Sequence, residues 1–202
     1  MATEATFRLA FIACWLVFFV AVIPLRLKAR APAAAAPRRP MNRGRLAALI
    51  AFAPLWFAGV LLYPFYPSAI APLSLPLPAW LRFAMIAPIV ATIPFIVWSH
   101  LALGRNWVHA LDPATFLARK DLALVTSGPY RYVRNPIYLG SFIFIIALAL
   151  LAANGLLLVP ALVLVVIIYR QIPNEEAMLL ERFGESYRRY CERTPRLMPR
   201  IW

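Results

Sequence analysis

Residues 137–169 read IYLGSFIFIIALALLAANGLLLVPALVLVVIIY, 33 residues without a charge. One straight helix of that length would run about 50 Å at 1.5 Å per residue, against a hydrocarbon core about 30 Å thick. Tilt does not absorb such an excess. Asn154-Gly155 lies at the middle of the run and is a turn signal. The stretch therefore reads as a tight helical hairpin, Ile137–Ala153 and Leu156–Tyr169, with Pro160 in the first turn of the second arm or at a kink just after it. Each arm is short for a full crossing, so neither has to reach through the far leaflet.

Outward from the hairpin the chain has the same character. Of its 202 residues 63% are hydrophobic and only 14% charged, against roughly 25% in an ordinary soluble domain, and the mean hydropathy is +0.73. Further spans are expected at Phe7–Leu25, Leu46–Pro64 and Trp80–Leu103, each about the 20 apolar residues a crossing needs. Pro54, Pro88 and Pro94 fall inside them, where neighbouring helices can satisfy the freed carbonyls, so kinks are expected rather than breaks. Phe7–Leu25 is preceded by Glu4 and Arg8 and followed by Arg26, Lys28 and Arg30. That charge order reads as a retained anchor, not a cleaved signal peptide. Ala31–Pro40 is an Ala/Pro linker without periodicity.

The net charge of +13 raises the question of nucleic acid, but the basic residues sit between hydrophobic runs. The linker after the first span carries seven, the segment after the third carries Arg105, Arg119, Lys120, Arg131 and Arg134, and the tail from Arg170 carries seven arginines. Only Arg8 and Arg82 are left for the other face. With five spans all three basic segments share one side, which the positive-inside rule makes the cytoplasm, with the N-terminus outside. The expectation is a single all-α integral membrane domain over residues 1–202, with N-terminal spans to residue 100, a core from residue 101, and a cytoplasmic amphipathic helix at the C-terminal end. It is a multi-pass protein, placed in a bacterial inner membrane. Cys14 and Cys191 give neither a disulfide framework nor a metal spacing, and His100 and His109 are too few for a zinc site. Neither a metal nor a nucleic-acid partner is expected.

Polar sequence with information in it is confined to Gly104–Pro136 and Arg170–Trp202, both at the base of the hairpin. The first ends in Gly128-Pro129, a turn, and Asn135-Pro136, a helix start with Asn as N-cap and Pro at the first helical position. An anionic group could sit on the free N–H groups of that turn. The bland reading is a membrane-entry cap with Tyr and Arg anchors. The second begins at Arg170, a snorkelling residue or an anion anchor, and continues through Asn174-Glu175-Glu176 as a capped helix start. One helix is expected from there to about Arg193, with Leu179, Leu180, Phe183, Tyr187 and Tyr190 as an apolar packing stripe and Glu185–Arg189 as an i, i+4 pair. Pro195 and Pro199 end it. Paired acids beside hydrocarbon are costly and so more informative than the stripe.

The order Gly128-Pro129-Tyr130-x-x-x-Arg134-Asn135-Pro136-x-Tyr138-x-Gly140, an apolar hairpin, Glu175-Glu176-x-x-Leu179-x-x-x-Phe183-Gly184-x-x-Tyr187-x-x-Tyr190 and Arg196-x-x-Pro199 resembles the isoprenylcysteine carboxyl methyltransferase family, to which phospholipid N-methyltransferases are related. Leu103-Gly104-Arg105-Asn106-Trp107 also resembles a family element. The resemblance covers roughly Leu101 to Pro199. It implies a pocket for S-adenosylmethionine at the cytoplasmic membrane boundary. Leu122, Ala123, Leu124 and Val125 would offer it backbone groups. Tyr130, Asn135, Pro136, Ile137 and Tyr138 would line it, and Glu175 and Glu176 would meet its ammonium or ribose. Arg170 would anchor an acidic acceptor, making Arg170 and Glu176 the residues closest to the chemistry. Many members have His where this chain has Asn135. An amide still donates and accepts hydrogen bonds, but it carries no acid–base role.

Methyl transfer from a sulfonium is an in-line displacement in which charge is lost, so the protein has mainly to align two reactants and exclude water. A carboxylate acceptor is already ionised at neutral pH and needs a cation to hold it rather than a base. An amine acceptor needs a proton taken off, for which a Glu is the candidate. The expected acceptor is a lipophilic small molecule or a lipidated group in contact with membrane lipids, reached sideways between helices, with carboxyl O-methylation first and phospholipid or amine N-methylation second. A non-enzymatic membrane partner on the same scaffold and a nicotinamide-dependent reductase are the remaining readings.

Overall fold

The computed structural model describes residues 3–28, 43–106 and 122–198. The Ala31–Pro40 linker, Trp107, His109, Arg119, Lys120 and Pro199 lie outside them. Nine α-helices are found among the described residues: α1 (Glu4–Lys28), α2 (Arg43–Phe65), α3 (Pro67–Ile70), α4 (Ala79–Ala84), α5 (Ile86–Leu103), α6 (Pro136–Ala152), α7 (Gly155–Tyr169), α8 (Ile172–Phe183) and α9 (Glu185–Arg193). Four helical segments, Glu4–Leu25, Leu46–Phe65, Ala79–Leu103 and Gly155–Phe183, are long and apolar enough to cross a membrane. The fifth apolar helix, α6, has 17 residues, about 25 Å at 1.5 Å per residue, at the lower limit for a crossing. Pro54 and Pro94 sit within continuous helices.

The hairpin turns where its charge-free length requires. Ala153 takes the left-handed conformation (φ 49°, ψ 47°) and ends α6. Asn154 then caps α7, its side-chain oxygen accepting from the Leu156 N–H at 2.9 Å, which satisfies one orphan donor of the new helix. The same side chain donates to the Ile70 carbonyl at 2.9 Å, and the Leu75 N–H donates to the Ala153 carbonyl at 2.7 Å. The proline-rich segment between α2 and α4 thus covers the tip, and Asn154 is buried. Pro160 lies inside α7, past its first turn.

Arg82 ties the same end of the bundle together. Its Nε donates to the Leu151 carbonyl at 2.9 Å, its Nη1 and Nη2 to the Glu4 carboxylate at 2.7 and 2.9 Å, and its Nη2 to the Tyr63 hydroxyl at 2.9 Å. The guanidinium also stacks 3.7 Å from the centre of the Phe7 ring. The start of α1, the end of α2, α4 and the end of α6 therefore meet at one end. The ends of α1, α5 and α7, with the starts of α2 and α6, lie at the other. Of the two basic residues the sequence left over for the far face, Arg82 is the buried one, and the half-exposed Glu4 carboxylate pairs with it.

Between the ends, α5 packs on α6, α2 on α7, and α1 on both α5 and α6. Gly140 makes the α5–α6 approach possible: a Cβ there would stand 2.5 Å from Cγ1 of Ile96. Small residues at helix crossings are how membrane bundles gain close packing. Two expectations about helix limits fail beyond Tyr169. The single helix to Arg193 is two, broken at Gly184, whose φ of +53° suits glycine and strains any other residue. Asn174 is not a cap but lies inside α8, which begins at Ile172-Pro173 after Gln171.

Two outcomes test this arrangement. In a background lacking Cys14 and Cys191, single cysteines at Ser127 and Glu192 should label with a membrane-impermeant thiol reagent from one side, and a cysteine at Ser74 from the other; labelling of Ser127 and Glu192 from opposite sides would disprove the fold. Gly140→Ala should overpack the α5–α6 contact at a cost of about 1–3 kcal/mol, read as a lower thermal midpoint in detergent; an unchanged midpoint would mean the helices do not approach as described.

Candidate functional site

At the end opposite Arg82, two polar stretches more than 40 residues apart in sequence interlock. Residues 122–135 lead into α6. Gly128–Arg131 forms one 3₁₀ turn in which Pro129 and Tyr130 are buried, packed against α5. Tyr190 on α9 donates its hydroxyl to the Tyr130 carbonyl at 2.6 Å. The two backbone N–H groups that follow pair with the tail: Arg134 N–H with the Pro195 carbonyl at 2.9 Å and Asn135 N–H with the Arg196 carbonyl at 3.2 Å.

A buried carboxylate joins these stretches. Glu176 accepts from Arg134 Nε at 2.9 Å and Asn135 Nδ2 at 3.2 Å through Oε1. Its Oε2 accepts from Arg196 Nε at 2.9 Å, with Arg196 Nη2 at 2.7 Å. Arg134 spends its remaining fork on Cys191 and Thr194 carbonyls, at 3.0 and 2.6 Å. Those are end-of-helix acceptors of α9, which a cation suits on two counts, hydrogen bonding and the helix dipole. Burial works against the charge of Arg134, but the hydrogen bond and charge of Glu176 more than offset it and hold the guanidinium protonated. Arg196, less buried, is held protonated chiefly by its hydrogen bond to Glu176. Burial pushes the Tyr130, Tyr187 and Tyr190 phenols well above their ordinary range, so they act as neutral hydroxyls and supply no base.

Next to this frame Tyr138, one turn into α6, donates its hydroxyl to Glu175 Oε1 at 2.6 Å; both side chains are half-buried. The structure thus brings Asn135 to Glu176 and Tyr138 to Glu175, with Pro136 buried at the first position of α6 and Ile137 beside it. Asn135 occupies the N-cap position expected of it, but its side chain does not cap; it is turned onto Glu176 and the Arg196 carbonyl. Leu122, Ala123, Leu124 and Val125 form a non-helical strip. The Ala123 N–H donates to Asn106 Oδ1 at 2.8 Å, and Leu124 and Val125 make no backbone hydrogen bond with another described residue. Arg170 caps the end of α7 and is exposed; no hydrogen bond or ion pair joins its side chain to the other candidate residues among those described. Glu185 pairs with Arg188 at 3.8 Å instead of Arg189, one residue earlier on the helix than expected. In the sequence Arg134 and Arg196 stand out only as motif residues and as members of the basic segments. The signal that would have found them is the cost of an acid near hydrocarbon, which demands cationic partners.

The model of the family described as phospholipid methyltransferase matches residues 80–186, a span that contains the hairpin, Arg134, Asn135, Tyr138, Glu175 and Glu176 and ends before the tail that closes on them. The chain belongs to the phospholipid methyltransferase family. Among curated relatives, it is similar to a protein-S-isoprenylcysteine O-methyltransferase of Schizosaccharomyces pombe, 41% identical over 83 residues, covering 41% of this chain and 35% of that protein. It is also similar to the cobalt-zinc-cadmium resistance protein CzcN of Cupriavidus metallidurans, 30% identical over 118 residues, covering 57% and 52%. The alignments thus span about a third to a half of the length of these relatives. In three dimensions the fold matches a solved eukaryotic intramembrane Ras methyltransferase (isoprenylcysteine carboxyl methyltransferase) with a TM-score of 0.63 and 20% identity, over 100% of this chain and 69% of that one.

The frame makes a graded prediction. Arg134 and Glu176 expose only 11% and 10% of their side chains, so Arg134→Ala leaves the buried carboxylate with the half-exposed Arg196 as its remaining cation, at a cost of up to about 3 kcal/mol. Arg196 is 40% exposed, and Arg196→Ala should cost about 1 kcal/mol or less. Thermal midpoints in detergent should fall in that order; equal midpoints would show that Glu176 does not depend on Arg134.

Proposed function

We propose that the chain is an S-adenosylmethionine-dependent membrane methyltransferase whose acceptor is the carboxylate of a membrane-embedded amphiphile, of the isoprenylcysteine type. The observation that carries the reading is the Tyr138–Glu175 contact across the base of the hairpin, at 2.6 Å, set beside a buried frame in a chain of this family. By the positive-inside rule that end faces the cytoplasm, where a soluble methyl donor is at hand.

The residues fit such a donor by their chemistry. A sulfonium and an ammonium favour a carboxylate, and Glu175 is the half-buried one next to a fixed hydroxyl. Ribose hydroxyls and an adenine edge need donors and acceptors, and the backbone of Leu124 and Val125 has both to offer. Ile137 and Tyr138, both half-buried, supply apolar surface, while Tyr130 and Pro136 are buried. When bound, the donor would supply an electrophilic methyl group on a positively charged sulfur. Glu175 would hold cationic charge in place and Tyr138 would orient Glu175. With both oxygens of Glu176 engaged by Arg134, Asn135 and Arg196, we assign it to positioning rather than to contact. Arg170, exposed where α7 leaves the apolar bundle, would hold the acceptor carboxylate by charge-assisted hydrogen bonds. No general base is needed for an acid already ionised.

Radiolabelled methyl transfer from S-adenosylmethionine into a membrane extract tests this reading. A base-labile product is expected. A base-stable product would replace the carboxylate with an amine and give Glu175 the task of taking its proton; no incorporation at all would end the enzymatic reading. Arg170→Ala should spare donor binding and lower turnover by about 10–100-fold, the loss of one hydrogen bond to a charge. Glu175→Gln should instead weaken donor binding.

A further inference from the structure

The methyl-transfer reading makes no use of a second feature at the same end. Between α9 and the segment before α6 lies an open cavity of about 800 Å³, lined by Leu124, Thr126 and Arg131 on one side and by Ser186, Arg189, Tyr190, Arg193 and Thr194 on the other, with no acidic residue among the described ones that line it. Ser186, Arg189 and Arg193 follow one another at helical spacing on one face of α9. Tyr187 and Tyr190 are buried beside them, and Tyr190 also borders the cavity.

We infer that this cavity binds an anionic phosphorylated group, either the headgroup of an acidic phospholipid or a soluble phosphate ester. Arg189 and Arg193 stand at i, i+4, a spacing at which like charges destabilise a helix, and Arg131 adds a third guanidinium from the facing loop. The carboxylates nearby do not relieve them: Glu185 pairs with Arg188 and Glu176 with Arg134 and Arg196. Converging cations of this kind are relieved by an anion, and the planar fork of arginine matches phosphate oxygens two at a time. The hydroxyls of Thr126 and Ser186 add uncharged donors. A volume of about 800 Å³ is far more than a bare ion needs and falls in the range of small-molecule sites, so the phosphate is expected to carry an organic body. Location agrees: Arg131 lies five residues before α6 enters the apolar bundle, the level at which headgroups sit. The three arginines are not among the residues assigned to the methyl donor or acceptor, but Leu124, which borders the cavity, is; the site therefore adjoins the proposed donor pocket, and its arginines are what set it apart.

The full-length protein in a neutral detergent provides the test. Its thermal midpoint is measured against increasing dihexanoyl-phosphatidylglycerol, glycerol 3-phosphate and dihexanoyl-phosphatidylcholine. Saturable stabilisation by the first alone assigns a lipid headgroup; by glycerol 3-phosphate as well, a soluble phosphate ester. Both carry the proposal. Equal stabilisation by phosphatidylcholine, or none by any of the three, overturns it. In the double variant Arg189→Gln/Arg193→Gln the half-saturating concentration should rise at least about tenfold, with S-adenosylmethionine binding unchanged. An unchanged half-saturation overturns the site, and a parallel loss of S-adenosylmethionine binding overturns its independence by making it part of the donor pocket. Should the double variant fail to fold, Arg131→Gln, on an exposed loop, should raise the half-saturation by about threefold or more; no rise would again overturn the site.

Discussion

A carboxylate can be buried at the edge of a hydrocarbon layer only if cations come with it. Glu176 has two, and they come from different parts of the chain. Arg134 immediately precedes the hairpin and Arg196 follows the last helix. One ion cluster therefore joins three segments: the entry to α6, the start of α8 and the tail beyond α9. The backbone pairs from Arg134 and Asn135 to Pro195 and Arg196 and the Tyr190–Tyr130 bond follow from that closure. The Tyr138–Glu175 contact, one residue away on α8 and one turn on along α6, is where it leaves chemistry.

The opposite end is built on the same logic with the roles exchanged. There a cation, Arg82, is the buried group, and Glu4, Tyr63 and the Leu151 carbonyl gather around it. The two clusters sit at the two ends of α6, and apolar packing through Gly140 joins them. The fold is thus held by directional polar contacts at both surfaces and by close approach in between, as expected where lipid removes the hydrophobic drive between helices.

Much of this was legible before any coordinate. A charge-free run of 33 residues with Asn154-Gly155 at its centre leaves little choice but to double back, and the distribution of arginines then fixes which loops share a side. The motif residues around Tyr138 and Glu175 were legible too, as types suited to a cation and an adenosine. What the sequence hid is partner choice. Asn135 has the right place and chemistry to cap α6, but a buried carboxylate competes for its amide and wins. Asn174 lost its capping role because Pro173, suited to a helix start, lets the helix begin earlier. The stripe from Leu179 to Tyr190 runs through Gly184 without a break in periodicity, so only backbone geometry shows two helices there. Glu185 turned to Arg188, a choice between i+3 and i+4 that spacing alone leaves open.

The reliance of Arg134 and Asn135 on carbonyls at positions 195 and 196 has a consequence for biosynthesis. Every candidate span among the described residues is complete by Phe183, so the chain can be threaded into the bilayer before Pro195 and Arg196, which close its polar end, have left the ribosome. Integration and assembly of the pocket are then successive events, and a nascent chain arrested between them would be fully inserted yet hold Arg134 without its α9 acceptors.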